Sequence, residues 1–127
     1  MRYPPAMPFS PDLLGLLERT EEVEIETSTS GGGTHRTIIW IVVDGHVPFI
    51  RSVRGPAGRW YREALAQPAV TIHAAGQAMA ARAVRAVDPD SIARCSAALR
   101  RKYASDPSLD LMLRPEVLST TLRLEPA

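Results

Sequence analysis

Residues 37–45 read TIIWIVVDG, a near-continuous apolar run that ends in Asp-Gly. The run is rich in β-branched residues, and its lack of polar alternation is typical of a strand that is buried on both faces. Asp44-Gly45 predicts a tight hairpin, because such a turn needs residues that accept a positive φ. The stretch therefore predicts a buried strand over Thr37–Val43 and a return strand over about His46–Val53.

Further strands are predicted on both sides of this hairpin. Upstream, charged residues alternate with Val23, Ile25 and Thr27, which indicates a strand with one solvated face. The alanines of Gln77–Val87 favour a helix by propensity, but the position of this segment between a strand and a helix start favours a strand. The additional predicted strands are Glu22–Thr29, Val70–Ala74, Gln77–Val87 and Leu118–Glu125.

Two helix starts carry clear capping signals. Ser10-Pro11-Asp12 and Asp88-Pro89-Asp90 each combine a capping residue, a proline at the first helical position and an acid in the first turn. A short helix is predicted over Arg59–Ala66, and Pro68 ends it. Six strands with few helices predict a mainly β fold, a small barrel with flanking helices, because closure removes exposed sheet edges.

Length and composition indicate one ordinary domain over residues 1–127, with residues 1–9 as a flexible N-terminal tail. The net charge of +1 is too small for a general nucleic-acid-binding protein. No apolar stretch has the length of a signal peptide or a membrane span. Cys95 is the single cysteine, so the chain forms no internal disulfide and fits a reducing compartment. We therefore expect a cytoplasmic protein that binds neither nucleic acid nor membrane.

The basic residues are fourteen arginines and one lysine, Lys102. Either a need for anion binding or the base composition of a genome explains this bias. Four arginines and no acid lie between Arg51 and Arg62, which makes this segment the predicted site for an anionic ligand.

The Arg51–Arg62 segment ends a strand, turns through a loop and starts a helix. Gly55 and Gly58 allow the backbone to approach a ligand closely, and the free N–H groups of a helix start favour anions. Arginines add charge-assisted hydrogen bonds to a phosphate. Solvated surface arginines around an ordinary turn are the alternative interpretation.

Other chemistry has little support in the sequence. The three histidines, His35, His46 and His73, lack metal-ligand spacing, so no metal site is predicted. Cys95 lies on a predicted helix face among Ile92 and Leu99, which favours an inert buried thiol. Trp40 is predicted to be a core residue. No serine nucleophile elbow or phosphate-loop lysine motif is present.

The same residues resemble a known superfamily. His35-Arg36-Thr37, the hairpin at Asp44-Gly45, Arg51–Gly55 and Trp60–Arg62 resemble the split β-barrel proteins that bind flavin or deazaflavin, the pyridoxamine-phosphate-oxidase-like superfamily. Within it, the sequence is most similar, over about Thr20–Leu124, to a bacterial family named domain of unknown function 2255. The resemblance implies a six-stranded, FMN-binding-like split β-barrel.

The resemblance also implies a cofactor site. In the deazaflavin branch a serine, a basic residue and a glycine hold the phosphate after the third strand, and the ring lies in a groove at a dimer interface. That branch has asparagine where this chain has Arg62. The cofactor implied is flavin mononucleotide (FMN) or a deazaflavin. The expected site residues are Arg36, Thr37, Arg51, Ser52, Arg54, Gly55, Gly58, Trp60, Tyr61 and Arg62.

Within that set we expect Arg51, Arg54 and Arg62 to hold the phosphate, and Thr37 and Ser52 to donate hydrogen bonds. Trp60 either packs near the ring or supports the loop. Burial of Thr37–Val43 on both faces also predicts a homodimer, because a single six-stranded barrel does not readily cover such a strand.

Two classes of function remain open at this point. One is an oxidoreductase that acts on a small organic substrate with its bound flavin or deazaflavin. The alternative is a non-catalytic module that binds a small ligand or, having lost cofactor binding, another protein.

Overall fold

One curled antiparallel sheet dominates the computed structural model, which describes residues 8–127. Of the predicted N-terminal tail, residues 1–7 lie outside the described residues, whereas Phe9 packs against the hydrophobic core. The strands are β1 (Val23–Ser28), β2 (Thr34–Ile39), β3 (Val42–Asp44), β4 (Val47–Ile50), β5 (Ala69–Ala74), β6 (Gln77–Arg85) and β7 (Leu122–Pro126). The helices are α1 (Pro11–Arg19), α2 (Arg59–Ala66), α3 (Pro89–Lys102) and the single turn α4 (Pro115–Leu118).

The strand order in the sheet is β2-β1-β5-β6-β7-β4-β3. β2 and β3 follow each other in the chain but lie at opposite ends of this order, so the sheet curls into a half-barrel between them. The predicted mainly β split-barrel class is confirmed. The number of strands is seven rather than six, because the apolar run at residues 37–43 contributes to two strands.

The break between β2 and β3 lies at Trp40–Ile41, which we call the corner. The Trp40 ring stacks on Tyr103, with ring centroids 3.9 Å apart and planes 6° apart. The Ile41 carbonyl accepts hydrogen bonds from Lys102 Nζ at 2.6 Å and from the Tyr103 hydroxyl at 3.4 Å. Donors at the C-terminal end of α3 thus satisfy the backbone where the strand is interrupted.

Lys102 donates most of the hydrogen bonds that hold the corner in place. Besides the Ile41 carbonyl, its Nζ donates to the carbonyls of Leu17 and Thr20, each at 2.8 Å. An ammonium has three protons, and each of them has a carbonyl acceptor here. Burial lowers the pKa of Lys102 to about 8. The ammonium therefore joins α1, α3 and the corner through one atom.

The core consists of two clusters on opposite faces of the sheet. Val43 belongs to the larger cluster, which includes Leu17, Ile25 and Trp60. Val42 belongs to the smaller cluster beneath α3. Burial on both faces, predicted for the whole run, therefore holds for β3, whereas Ile38 in β2 is 62% exposed.

The helix predictions agree closely with the structure. The side chains of Ser10 and Asp88 accept from the backbone N–H groups of Leu13 and Ser91, as N-caps do, and α2 has the predicted bounds. None of the helices within residues 8–127 is long and apolar enough to cross a membrane.

The predicted final strand, Leu118–Glu125, begins four residues later than expected. Pro115 starts the turn α4 instead, because its fixed φ suits a first helical position. The hydroxyls of Thr120 and Thr121 then donate to the carbonyls of Val117 and Leu118. These two bonds close the turn before the strand starts.

Replacing Lys102 tests how much its hydrogen bonds at the corner stabilise the fold. We expect Lys102→Met to lower the free energy of unfolding by about 3 kcal/mol, because it leaves three carbonyls without their charged donor. Arg100→Met, an exposed neighbour on the same helix, is the matched control and should stay within about 0.5 kcal/mol of the parent. Urea unfolding followed by circular dichroism measures both, and equal stabilities of the two variants would contradict this role.

Candidate functional site

A groove of about 840 Å³ runs along β2. Its walls come from β2, the loop after β4, the start of α2 and the segment between α3 and α4. The lining residues are Glu21, Glu22, Thr37, Ile38, Ile39, Trp40, Arg51, Ser52, Val53, Arg54, Gly58, Arg59, Trp60, Asp106, Ser108, Leu111 and Met112. A volume of this size holds a cofactor-sized molecule.

Thr37 carries an unusual hydroxyl in the groove wall. Its Oγ1 is inaccessible to solvent and has no hydrogen-bond partner, and within residues 8–127 no other buried side-chain polar atom lacks one. A buried hydroxyl without a partner costs stability unless something else satisfies it. The groove wall therefore contains one buried polar atom whose hydrogen bonding is not satisfied within the described residues.

The loop after β4 is tightly closed around Ser52. The Ser52 hydroxyl donates to the Gly55 carbonyl at 2.9 Å, and the Ser52 N–H donates to the Thr120 hydroxyl at 3.0 Å. Gly55 adopts a φ of +71°, which favours glycine. A Cβ at Gly58 would collide with the Ser52 hydroxyl. Gly58 is also the N-cap of α2 and provides no side-chain cap, which leaves the first N–H groups of that helix free of side-chain acceptors.

Arg51 lies inside the protein, with 2% of its surface exposed. Its Nε donates to the Thr121 hydroxyl at 2.8 Å, and its two terminal nitrogens donate to the carbonyls of Met112 and Ile92, each at 3.0 Å. Burial lowers the pKa of the guanidinium. Arg51 therefore ties the end of β4 to α3 and to the segment before α4, and its charge lies behind the groove wall.

Arg54 and Arg59 are the exposed cations of the groove. Within residues 8–127, neither side chain forms an ion pair or a hydrogen bond. They lie on either side of the Gly55–Gly58 turn, and Arg59 starts α2. Two free guanidinium groups beside an uncapped helix start form a site that attracts anions.

The middle of the groove is apolar. Ile38, Val53 and Leu111 are 62%, 44% and 43% exposed, respectively, and all three line the groove. Arg114 holds two of these residues near each other, because it donates to the carbonyls of both Val53 and Leu111. Exposed apolar residues that gather along one groove indicate a surface that is covered by a ligand or a partner.

The end of the groove beyond Ile39 is acidic. Tyr103, which stacks on Trp40, donates through its hydroxyl to the Glu21 carbonyl at 2.7 Å. The Asp106 N–H donates to the Tyr103 carbonyl at 3.0 Å. The side chains of Glu21, Glu22 and Asp106 line this end. The groove is therefore polarised, with free arginines at the α2 end and carboxylates at the corner.

The structure brings together six of the ten expected site residues on the groove wall, namely Thr37, Arg51, Ser52, Arg54, Gly58 and Trp60. The other four lie elsewhere. Arg36 is not among the lining residues, and its Nε lies 3.4 Å from Glu26. Gly55 is buried beneath the loop, Tyr61 donates to the Ser119 carbonyl, and Arg62 lies on the exposed side of α2.

Several groove residues were absent from the predicted set. Trp40 was predicted to be a core residue, yet it is half-buried and lines the groove. Ile38 belongs to the apolar run that was predicted to be wholly buried. Leu111 and Met112 lie in a segment without a predicted element. The isolated Trp within a β-branched run is the one signal in the sequence that marks the corner.

Outside the groove, the titratable groups form small structural pairs. His73 bonds to Glu26 at 2.8 Å, and this hydrogen bond is the main reason that the pKa of Glu26 is lowered. Burial raises the pKa of Cys95 to about 11, which agrees with the inert thiol predicted for it. Within residues 8–127 no group of three or more histidine, cysteine or acidic side chains is placed to hold a metal ion.

Comparisons with known proteins agree with this architecture. Residues 14–124 match a family model described as "Uncharacterized protein conserved in bacteria (DUF2255)". No curated protein matches the sequence.

Solved structures with the same fold have low sequence identity to this chain. The heme storage protein HutZ of Vibrio cholerae superposes with a TM-score of 0.65 at 17% identity, covering 95% of this chain and 92% of its own. A candidate pyridoxamine 5′-phosphate oxidase of Listeria innocua superposes with a TM-score of 0.65 at 14% identity, covering 91% of this chain and 90% of its own. The F420-H2-dependent reductase FDR-A superposes with a TM-score of 0.65 at 13% identity, covering 83% of this chain and 94% of its own.

Arg51 and Arg54, on either side of Ser52-Val53, are a matched pair for testing which arginine has a structural role. We expect Arg51→Met to lower the free energy of unfolding by about 3 kcal/mol, because three buried acceptors lose their donor. Arg54→Met should change it by less than about 0.5 kcal/mol, because that side chain is exposed. Chemical denaturation of both variants measures the difference. A stable Arg51→Met variant would show that the buried guanidinium is dispensable for folding.

Proposed function

The chain belongs to the DUF2255 family, and from that premise we propose that its groove binds a small phosphorylated ring cofactor, FMN or a deazaflavin. Such a cofactor supplies hydride or electron transfer, so the activity proposed is oxidoreduction of a small organic substrate. The protein provides the phosphate site, the apolar seat for the ring and the exclusion of water.

The observation that carries this proposal is the unpartnered Thr37 hydroxyl in the groove wall. A protein tolerates such an atom where a ligand completes its hydrogen bonding. Thr37 lies on the same strand face as Ile39 and opposite Ile25 of β1, midway along β2. A ligand in the groove that reached this hydroxyl would complete its hydrogen bonding.

The charges of the groove orient the ligand. Arg54, Arg59 and the free N–H groups at the start of α2 attract a phosphate. Glu21, Glu22 and Asp106 at the other end repel it. We therefore place the phosphate at the α2 end and the ring across Ile38, Val53 and Leu111, a placement that assigns the phosphate contact to Arg54 and Arg59.

The structural neighbours suggest other cofactors for the same fold. FDR-A is named for its dependence on F420-H2, a deazaflavin, and HutZ is named as a heme storage protein. Of the side-chain types that usually ligate haem iron, the described lining residues offer Met112 alone, whereas they offer two free arginines to a phosphate. The available ligand set therefore favours a phosphorylated cofactor over haem.

A second candidate function is a binding module without turnover. The apolar middle of the groove is lined by Ile38, Val53 and Leu111, none of which titrates. The carboxylates of Glu21, Glu22 and Asp106 lie at the far end of the groove, away from the proposed ring position. Binding of FMN without its reduction by a nicotinamide donor would favour this candidate.

We also propose that the functional unit is a homodimer. Ile38 lies on β2, at one end of the strand order, and it forms the apolar rim of the groove together with Val53 and Leu111. A second copy seated on this rim would cover the exposed hydrophobic side chains and enclose the ring of the cofactor.

Thermal shifts with FMN, flavin adenine dinucleotide and a deazaflavin test the cofactor proposal. A ligand at a hundred times its dissociation constant adds about 2.7 kcal/mol to the stability of the folded state, which raises the Tm of this domain by several degrees. Arg54→Ala/Arg59→Ala should abolish the shift. Arg82→Ala/Arg85→Ala removes the same charge from exposed positions of β6 and should keep the shift. The absence of a shift with all three flavins would overturn the proposal.

The hydroxyl itself is tested by Thr37→Val, which keeps the shape of the side chain. We expect the affinity for FMN to fall about tenfold, because one hydrogen bond to the ligand is lost. The unfolding free energy of the ligand-free protein should stay the same or rise, because a buried unpaired hydroxyl is removed. Titration calorimetry and urea unfolding measure the two effects. Unchanged affinity would remove Thr37 from the site.

Light scattering at micromolar concentration tests the dimer. We expect the parent protein to be dimeric and Ile38→Glu to be monomeric, because a carboxylate would be buried at the interface. Val87→Glu changes a side chain that is 40% exposed outside the groove and should remain dimeric. A monomeric parent would contradict the dimer but not the cofactor site.

A further inference from the structure

The strand β2 has an open edge. It is the terminal strand of the sheet and has one neighbouring strand, β1, among the described residues. In an antiparallel pair, successive residues direct their backbone N–H and C=O groups alternately toward the neighbouring strand and away from it. Every second residue of β2 therefore presents a donor and an acceptor along the open edge, and the register of the sheet determines which residues these are.

The hairpin between β1 and β2 gives a first assignment. The Thr29 N–H donates to the Gly33 carbonyl at 2.9 Å, so these two residues face each other across the pair. Ile25 and Thr37 lie opposite each other four residues further along, and an even number of residues preserves the alternation. Thr37 therefore directs its backbone groups toward β1, and the next residue, Ile38, directs its own away from β1.

The strand on the other side of β1 gives the same assignment independently. A two-residue turn, Ala75-Gly76, joins β5 to β6 with φ values of 48° and 79°, and in such a hairpin the flanking residues face each other. His73, one residue before the flanking position, thus faces β1, where it lies opposite Glu24. Glu24 is also the residue opposite Ile38. Because the backbone groups of Glu24 face β5, those of Ile38 face away from β1.

The groove coincides with one part of this open edge. Three residues of β2, namely Thr34, Arg36 and Ile38, direct their backbone groups outward, and of these Ile38 lines the groove. No backbone group from the turns and loops of residues 8–127 bonds to Ile38. The groove wall therefore presents one backbone N–H and one C=O side by side, next to the exposed side chains of Val53 and Leu111.

We propose that the backbone of Ile38 recognises the ring of the ligand, with its N–H donating to a ring carbonyl and its C=O accepting from a ring N–H. The inference rests on the proposed function and adds the chemical class of the ring, a cyclic amide or imide, which carries such an acceptor and donor side by side on its rim. The rings of flavin and deazaflavin have this imide edge, whereas haem has no amide group. A few well-placed backbone groups in an otherwise apolar pocket are a usual source of such specificity.

Ring analogues test the proposal in the parent protein. Methylation of FMN at the imide nitrogen, N3, removes the donor to the Ile38 carbonyl and should raise the dissociation constant about tenfold. An FMN analogue with ethyl in place of the 8-methyl group adds the same carbon at the opposite end of the ring and should bind as FMN does. Riboflavin and N3-methylriboflavin should differ by the same factor, because the phosphate takes no part. Fluorescence titration measures all four affinities.

Two substitutions of similar size isolate the backbone N–H. Ile38→Pro removes the N–H, and Ile38→Val keeps it while shortening the side chain. We expect Ile38→Pro to bind FMN about tenfold more weakly than Ile38→Val. Proline is tolerated on an edge strand where its nitrogen faces away from the sheet, so Thr37→Pro, which removes an N–H that faces β1, should lower the Tm much further than Ile38→Pro.

The outcomes separate this inference from the proposed function. Equal affinities of the parent for FMN and N3-methyl-FMN would overturn the recognition by Ile38 and leave the cofactor site intact, and this comparison needs no variant to fold. Failure of the parent to bind any of the flavins would overturn the proposed function and this inference together.

Discussion

The hydrogen bond from Lys102 to the Ile41 carbonyl satisfies the backbone at the point where the apolar run changes direction, and the arrangement of the sheet depends on that point. A run of six apolar residues would otherwise continue as one strand, with its backbone paired to a neighbouring strand throughout. Donors from the end of α3 replace that pairing at one point, so the chain changes direction there. β2 and β3 can then occupy opposite ends of one sheet, and the sheet curls to bring those ends together.

The groove is a consequence of that change of direction. The corner places Trp40 on Tyr103 and, through Tyr103, sets the positions of Glu21 and Asp106 at the acidic end. The other end is set by the closed loop at Ser52 and by the start of α2. Both ends are thus built from packing and from hydrogen bonds between side chains and the backbone, and the exposed side chains between them are left for a ligand or a second copy.

Much of the fold could be predicted because local signals agreed with it. The capping residues, the Asp-Gly turn and the period-two alternation in β1 each act over a few residues, so the sequence carries them directly. The corner depends on Lys102, some sixty residues away from Ile41, and no local pattern encodes such a contact. For the same reason, the sequence showed a cluster of arginines around the turn but not that Arg51 points inward to Thr121 while Arg54 points into the groove. Distinguishing them requires knowing which carbonyls of α3 lie behind the loop.

The chain has a single lysine side chain, and every proton of its amine is held by a carbonyl in the folded state. Acylating reagents act on the free amine, so this nitrogen reacts when the contacts between α1, α3 and the corner open. The rate of acylation at Lys102 therefore reports how often the half-barrel opens locally around this residue. Mass spectrometry can follow it without an introduced label.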